Sequence, residues 1–247
     1  MLQNISLTPS RRTLEFGIYR DGDNNLDSIQ ESTLSQALKT SARDSRVEFT
    51  VEDTTKLRAG RDSVDSGALH TEQYTIADGD VAGVHLSEAH DMSDEANLAR
   101  FVAHTLDNAE ASGAKQTWVD LVDHGGGDGG GLQTSDGSCM SMPDIAKAIA
   151  DGVAMHAAAH PEDAGRRIDG VVANQCLMDT MGFAEGYYIR GSELPVSSAI
   201  VRQRAILYKT VGTSGSSRES GVCASDVKAD TTSGLKLSVQ PTDVARR

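Results

Sequence analysis

The sequence has few aromatic residues, no long apolar run and only three cysteines among its 247 residues. Phe, Trp and Tyr make up 4% of the chain, too little for the stacking platform that binds single-stranded nucleic acid. The net charge of −13 argues against the same partner, because an acidic surface repels a phosphate backbone. No stretch reaches the roughly 18 apolar residues of a membrane span. We therefore expect no nucleic-acid and no membrane partner.

The cysteines are too few and too dispersed for a disulfide framework. Cys139, Cys176 and Cys223 are odd in number and form no CxxC pair, so structural zinc is not expected from them. Apart from His124, the histidines form no HExxH motif and are interpreted as surface or satisfied core residues. These residues predict no metal site.

The two ends of the sequence differ in character. The first twelve residues are polar and contain no apolar stretch of signal-peptide length. As written, the chain is expected to be cytoplasmic, with secretion as the alternative if an export signal has been removed. Residues 202–247 hold eight basic and four acidic residues, although the chain as a whole is acidic. This shift predicts a folded domain over 1–201 and a polar C-terminal segment over 202–247, a processed tail or the start of a further region.

Apolar runs and helical spacings alternate along the folded part. Short apolar runs predict strands, and apolar residues three and four apart predict helices. The predicted strands cover 14–19, 47–51, 115–122, 168–173 and 194–201, the predicted helices cover 27–39, 97–109, 142–156 and 177–190, and 69–76 alternates weakly, as a hairpin would. This order predicts an α/β fold with a mainly parallel central sheet and helices on both faces.

Two of the predicted strands lead directly to a histidine and a cysteine. The strand over 115–122 is followed by Asp123-His124 and a run of glycines, and the strand over 168–173 by Asn174-Gln175-Cys176. Residues just past the carboxyl ends of parallel strands converge on one crevice. His124 lies 52 positions before Cys176, which is the spacing of caspase-like peptidases. The pattern predicts Cys176 as a nucleophile and His124 as its acid–base partner.

The neighbouring residues suit acyl transfer. Cys176 precedes the predicted helix 177–190, and the positive end of a helix dipole favours a thiolate. The backbone N–H groups of Cys176 and of Gly125 or Gly126 are the candidate donors to an oxyanion. The glycine run also contains GxGxxG, but no acidic residue lies at a second strand end about 20 positions on. A nucleotide or other acyl-transfer enzyme that uses this loop is therefore only an alternative.

The turn after the first strand, Asp21-Gly22-Asp23-Asn24-Asn25, begins like a calcium-binding loop. Its sixth position is Leu26 instead of glycine and its twelfth is Ser32 instead of glutamate, so it is not an EF-hand. We interpret these residues as turn formers, whose side chains hydrogen-bond to nearby backbone. No cofactor is then required, and a calcium site outside the EF-hand class is the alternative.

Three sequence blocks, IYRDGDNNL at 18–26, DHGGG at 123–127 and CLM at 176–178, occur in the order in which the clostripain family of cysteine endopeptidases has them. The chain resembles that family. The resemblance implies a caspase-like three-layer α/β sandwich, a dyad of His124 and Cys176, and a zymogen activated by autoprocessing. It also implies a protein or peptide substrate cut after Arg or Lys, and calcium dependence in some members.

Two features depart from the family pattern. Asn174 stands two residues before the nucleophile, where the family usually has an Asp that binds a basic P1 side chain, and an amide pairs less strongly with a guanidinium. Asp179 is a candidate replacement for that acid. The chain also stops at Arg247, where family members commonly continue. Arg247 is therefore expected to be a processing terminus, or a second chain from the same precursor completes the pocket, and Arg167 is the other candidate cleavage site.

A cysteine endopeptidase is thus the leading prediction from the sequence. The alternative from another class is a caspase-like interaction or partner-gated module with little intrinsic activity. Asn174 and the short C-terminus favour that alternative modestly, because each leaves the family's substrate pocket incomplete.

Overall fold

The computed structural model describes residues 12–56, 68–175 and 199–201. Within these ranges the strands are β1 Leu14–Asp21, β2 Val47–Lys56, β3 Leu69–Ala77, β4 Asp80–Glu88, β5 Gln116–Asp123, β6 Gly170–Gln175 and β7 Ala199–Val201. The helices are α1 Asp27–Arg43, α2 Glu95–Ser112 and α3 Met142–Ala159, and short 3₁₀ turns cover Gly127–Gly129 and Pro161–Asp163.

The strands form one sheet in the order β4-β3-β2-β1-β5-β6-β7. The pairings of β1 with β2 and β5, of β5 with β6 and of β6 with β7 are parallel. The pairings of β3 with β2 and β4 are antiparallel. The sheet is therefore mainly parallel, with an antiparallel hairpin at one edge.

Helices cover both faces of this sheet. Successive side chains of a strand point to opposite faces, so Ile18 packs toward α1 while Tyr19 packs toward α2 and α3. On the α1 side, the buried cluster includes Val51 and Leu34. On the other side, a larger cluster joins the strands to α2 and α3; its members include Leu121, Ala173, Leu98, Phe101, Ile145 and Ile149. The predicted three-layer α/β sandwich with a mainly parallel sheet is confirmed.

The sequence explains where two of the helices begin. The Asp94 side chain accepts a hydrogen bond from the Ala96 N–H (2.7 Å) and so caps α2. The Ser141 side chain accepts one from the Asp144 N–H (3.3 Å) at the start of α3, and Pro143 occupies the first turn, where its missing N–H costs nothing. None of the helices in the described part of the chain has the length and apolarity to cross a membrane.

Most predicted elements lie where the sequence placed them. The strands over 14–19, 47–51, 115–122 and 168–173 and the helices over 27–39, 97–109 and 142–156 are all confirmed, with ends that differ by a few residues. The weakly alternating segment 69–76 is the first strand of a hairpin. Part of the predicted strand 194–201 is observed as β7. The predicted helix 177–190 and the polar segment 202–247 lie outside the described residues.

Candidate active site

The carboxyl ends of β5 and β6 lie side by side and in register. Asp123, the last residue of β5, pairs with Gln175, the last residue of β6. His124 follows the first of these residues and Cys176 follows the second. The structure describes His124, whereas Cys176 and Asp179 lie outside the described residues.

The His124 ring is held by the turn that follows β1. Its Nε2 lies 2.7 Å from Oδ1 of Asn25 and donates a hydrogen bond to it. The opposite nitrogen, Nδ1, is then the basic nitrogen of the neutral ring. Partial burial lowers the pKa of His124 below its ordinary value of 6.5, which favours the neutral form at neutral pH. The ring is thus oriented and ready to accept a proton at Nδ1.

The same turn is tied to the end of β5 through Asn24. The Asn24 amide donates to Oδ1 of Asp123 (2.6 Å) and to the backbone oxygen of Gln133 (3.1 Å). Its own Oδ1 accepts from the Leu26 N–H (2.8 Å), as a turn-forming Asn should. The predicted turn role of this segment is confirmed, and the turn also brings Asn25 to His124.

Gly22 allows this turn to pass close to β2. A Cβ atom at this position would lie only 2.6 Å from the backbone oxygen of Thr54, which accepts a hydrogen bond from the Gly22 N–H. A side chain here would push the turn away from β2. The residue type at position 22 therefore contributes to placing Asn24 and Asn25.

Two buried carboxyl groups, Asp21 and Asp123, lie beneath the turn. Burial raises the pKa of Asp21 to about 7. Burial, and then the charge of Asp21, raise the pKa of Asp123 well above its ordinary value. Each group has one oxygen, Oδ2, without a hydrogen-bond partner among the described residues. Two neighbouring carboxyl groups disfavour each other's ionisation, and this effect adds to that of burial.

The side chains of this turn are engaged only in part. Asp21 Oδ1 accepts from the Asp23 N–H (2.8 Å), and Asp23 Oδ2 accepts from Ser135 (2.9 Å), whereas Asp21 Oδ2 has no partner among the described residues. Calcium takes six to eight oxygen ligands. Among the described residues, no three acidic or histidine side chains at this turn converge as metal ligands do.

The glycine run after His124 folds back on itself. The Gly126 N–H donates to the Gly130 oxygen (2.8 Å), and Gly131 exchanges both backbone hydrogen bonds with Met140 (3.0 and 2.9 Å). Gly130 has φ +114°, and a Cβ there would collide with the Met140 oxygen. The Gly126 N–H is therefore engaged, whereas the Gly125 N–H has no acceptor among the described residues. Of these two candidate oxyanion donors, Gly125 is therefore the one whose N–H is not already engaged within the described residues.

Asn174 lines a groove on the α1 side of the sheet. The groove has a volume of about 530 Å³ and also contacts Phe16, Trp118, Asp120 and Val172. Because Asn174 pairs with Val122, it lies one residue short of the strand ends that lead to His124 and Cys176. Asp120 adds a carboxylate to this groove that the sequence analysis did not single out. Its position two residues before Val122 on β5, and so on the same face as Asn174, was the available signal.

The predicted cleavage sites have different outcomes. Arg167 is exposed, with 58% of its side chain accessible, but the next residue, Ile168, is completely buried. The backbone just beyond it is also engaged, because the Asp169 N–H donates to the Thr117 oxygen (2.7 Å). The bond after Arg167 is therefore protected on one side. Arg247 lies outside the described residues.

A second group of polar residues lies at the other end of the parallel strands, where the strands begin. His156 and His160, at the end of α3, share the carboxylate of Asp107 on α2: His156 Nδ1 lies 2.7 Å and His160 Nε2 3.4 Å from its Oδ1. The interpretation of these histidines as surface or satisfied core residues agrees with their burial and partners, but it did not predict that both lie beside one carboxylate. Their four-residue spacing on one helix was the signal that could have found it.

No protein-family model and no curated protein matches the sequence. Solved structures of C11 cysteine proteases, the clostripain family, are similar in fold. Two are of a secreted enzyme from Bacteroides thetaiotaomicron. One is in complex with an irreversible peptide inhibitor; it is 16% identical, has a TM-score of 0.48, and the match covers 72% of this chain and 45% of that one. The other, described as iotapain, is 13% identical, has a TM-score of 0.48, and the match covers 72% of this chain and 50% of that one. The third is an inactive zymogen from Parabacteroides distasonis; it is 17% identical, has a TM-score of 0.43, and the match covers 78% of this chain and 49% of that one. The chain spans about half the length of these proteins.

Proposed function

We propose that this chain is the catalytic region of a cysteine endopeptidase, with His124 and Cys176 as its dyad. The observation that carries the proposal is the pairing of Asp123 with Gln175 at the ends of two adjacent parallel strands. Consecutive Cα atoms are about 3.8 Å apart, so the residues that follow this pair begin at the same edge of the sheet. A base and a nucleophile in neighbouring positions are what acyl transfer requires.

The first half of the reaction forms an acyl-enzyme. Neutral His124 takes the thiol proton of Cys176 at Nδ1, and the thiolate attacks the carbonyl carbon of the scissile peptide. The N–H groups of Gly125 and Cys176 donate to the oxyanion of the tetrahedral intermediate. His124 then gives its proton to the departing amine, the C–N bond breaks, and a thioester to Cys176 remains.

The second half releases the acyl group. Water attacks the thioester carbonyl while His124 takes one of the water's protons, and the C–S bond breaks as the sulfur leaves as thiolate. The product is a carboxylic acid, and the returned proton restores the starting dyad. Asn25 keeps the ring in one orientation throughout, because Nε2–H is bonded to it at 2.7 Å.

The proposed P1 side chain is Arg or Lys, and the groove lined by Asn174 is its proposed pocket. Asn174 offers an amide oxygen to the groove, and Asp120 lies on the same face, two residues before the β5 partner of Asn174. Charge-assisted hydrogen bonds are about twice as strong as neutral ones, so an amide at position 174 holds a basic side chain less strongly than the family's Asp would.

The proposal includes activation of the peptidase by proteolytic cleavage. Exposure of Arg167 supports it as a cleavage site, while burial of Ile168 requires the segment before β6 to open before a peptidase can bind it. We expect cleavage after Arg167 to be slow in the folded protein. A time course of intact mass for the wild type and for Arg167→Gln measures this, and rapid cleavage of the folded wild type at this bond would contradict it.

Hydrolysis of a peptide library by the purified full chain tests the proposal. The wild type is compared with Cys176→Ala, His124→Ala and the matched control Cys139→Ala, which removes a cysteine of the described region that lies outside the proposed dyad. We expect turnover with a preference for Arg or Lys at P1 in the wild type and the control. Turnover should be lost in Cys176→Ala and reduced by about 100- to 10,000-fold in His124→Ala. Equal turnover in Cys176→Ala would refute the dyad.

A further inference from the structure

The ends of α2 and α3 bring two histidines and a carboxylate together, away from the proposed active site. We call Asp107, His156 and His160 the basal cluster. Because only three residues separate the end of α2 from the start of β5, the cluster lies at the amino ends of the parallel strands, whereas His124 lies at their carboxyl ends. One ligand atom from each of the three side chains lies within 4.8 Å of the others.

Each histidine of the basal cluster also has a second carboxylate beside its other ring nitrogen. Nδ1 of His160 lies 2.7 Å from Oε2 of Glu110, and Nε2 of His156 lies 3.4 Å from Oδ2 of Asp163. Histidines that bind metals usually have this arrangement, because the outer carboxylate fixes the tautomer and makes the ligating nitrogen more basic. The two rings are stacked, with centroids 4.8 Å apart, and one nitrogen of each lies within 3.4 Å of Asp107 Oδ1.

The buried ring of His156 is imperfectly satisfied as it stands. Its side chain is completely buried, and its Nε2, although 3.4 Å from Oδ2 of Asp163, makes no well-aligned hydrogen bond within the described structure. An unsatisfied buried polar atom is costly. An ion bound at Nδ1 would replace the proton there and leave the remaining proton on Nε2, which needs only a small shift to donate to Asp163.

The charges around the basal cluster also favour a cation. Asp107, Glu110, Glu162 and Asp163 surround the two rings, and Arg166, which pairs with Asp163, supplies the opposing charge among the described residues. With neutral imidazoles this leaves a clear excess of negative charge. A divalent ion at the centre would balance much of it.

We propose that Asp107, His156 and His160 bind one divalent transition-metal ion, and that Zn²⁺ fits their donor set best. Imidazole nitrogens with one carboxylate oxygen are ordinary zinc ligands, with metal–ligand distances of about 2.0–2.2 Å. In a tetrahedron of that size the ligand atoms are about 3.3 Å apart, and the two separations to Asp107 are 2.7 and 3.4 Å. Asp107 is 41% exposed, which leaves room for water as the fourth ligand and a path for the ion.

The expected consequence of binding is stability. Asp107 belongs to α2 and the histidines to the end of α3, so a shared ion adds a link between two helices that also pack through apolar side chains and the Lys147–Glu95 ion pair. An ion that binds only the folded chain raises the free energy of unfolding in proportion to the logarithm of its concentration. This role is separate from peptide hydrolysis, and it can hold or fail independently of the proposed dyad.

Zinc binding by the full-length, untagged chain tests the proposal. All proteins carry Cys176→Ala, so that the proposed nucleophile cannot supply a thiolate, and are treated with chelator before titration with Zn²⁺ alone. The test variants are His160→Gln and Asp107→Asn, and the matched control is His85→Gln, which removes an exposed histidine on β4. Circular dichroism and the Tm without zinc establish that each variant is folded.

We expect one Zn²⁺ per chain in the parent and in the control, with a zinc-dependent rise in Tm. His160→Gln should weaken binding by at least about 100-fold and abolish the rise, and Glu110→Gln should weaken it by about 10- to 100-fold. Co²⁺ in place of zinc should give a visible spectrum without a thiolate charge-transfer band. Absence of tight binding to the folded parent, or equal affinity in His160→Gln and His85→Gln, would overturn the proposal.

Discussion

Replacement of Asn25 by alanine tests whether the turn after β1 positions the catalytic base. The change removes one hydrogen bond of 2.7 Å to His124 Nε2 and leaves the ring itself in place. A hydrogen bond of this kind has a net value of about 0.5–1.5 kcal/mol, which corresponds to about a 2- to 12-fold change in rate. We therefore expect kcat to fall by up to about tenfold with little change in KM, far less than in His124→Ala.

The pH profile separates positioning from a merely structural effect. Burial lowers the pKa of His124, so the acidic limb of the wild-type rate profile should lie below the ordinary histidine value of about 6.5. Asn25→Asp places a negative charge beside the ring, which favours the imidazolium, so its acidic limb should move to higher pH.

The assay is the rate of peptide hydrolysis between pH 4 and 9, with Asn108→Ala as the matched control. Asn108 lies on α2 and donates to Thr50 (2.8 Å) instead of to His124. Urea unfolding of each variant checks that stability is retained. A wild-type kcat in Asn25→Ala together with an unmoved acidic limb in Asn25→Asp would refute the positioning role.

Four further outcomes follow from the same structure. Asn174→Asp should raise kcat/KM for an Arg-P1 peptide by about tenfold, since a charged acceptor adds roughly 1–1.5 kcal/mol over an amide; no change would remove this residue from the pocket. Burial raises the pKa of Glu15 to about 8, so stability present below about pH 4.5 is lost as the pH rises through 8. At about 1.4 kcal/mol per pKa unit, Glu15→Gln should reduce the pH 5 to pH 8 difference in unfolding free energy by several kcal/mol, and an unchanged difference in urea titrations would contradict this. Gly22→Ala should lower the unfolding free energy by about 1–3 kcal/mol, because its Cβ meets Thr54, and an unchanged urea midpoint would argue against that contact. Calcium or EGTA should leave the rate of hydrolysis unchanged, and activation by calcium would show instead that a bound calcium ion contributes to the activity.

The sequence predicted those strands and helices in which apolar side chains are buried and polar side chains are exposed. β5 and β6 are short apolar runs because both of their faces are covered, as parallel strands in a three-layer fold require. α2 and α3 show helical spacing because one face of each packs against the sheet. Local pattern and final environment agree for these elements, so the predicted ends are close to the observed ones.

The sequence pattern did not predict the second half of β2, because its residues are polar although the structure buries them. Asp53 forms an ion pair with Arg20 on β1, and the hydroxyl of Thr54 bonds to that of Thr71 on β3 (2.7 Å). These partners come from other strands, so the local sequence alone indicates that the second half of β2 is exposed to solvent. The strand β4 was missed for the opposite reason. It is an edge strand whose residues are almost all exposed, so buried and exposed side chains do not alternate along it.

Some features of the candidate site could likewise be predicted from the sequence, and others could not. His124 could be placed because it directly follows a recognisable strand, and the register of that strand with β6 is a consequence of their parallel pairing. The contact between Asn25 and His124 joins residues 99 positions apart, and the turn motif gives no local indication of it. Asp120 was hidden within an apolar strand, where a buried carboxylate reads as part of the run.

The most direct test of the central proposal is chemical labelling of the folded chain by an irreversible peptidyl electrophile with Arg at P1. Tandem mass spectrometry locates the adduct, and the rate is compared in the wild type, His124→Ala and Cys139→Ala. A dyad of His124 and Cys176 predicts one adduct per chain on Cys176, formed much faster than on Cys139, retained in Cys139→Ala and strongly slowed in His124→Ala. Labelling of Cys176 no faster than that of Cys139, or at the same rate without His124, would contradict the proposed peptidase and favour a partner-gated module.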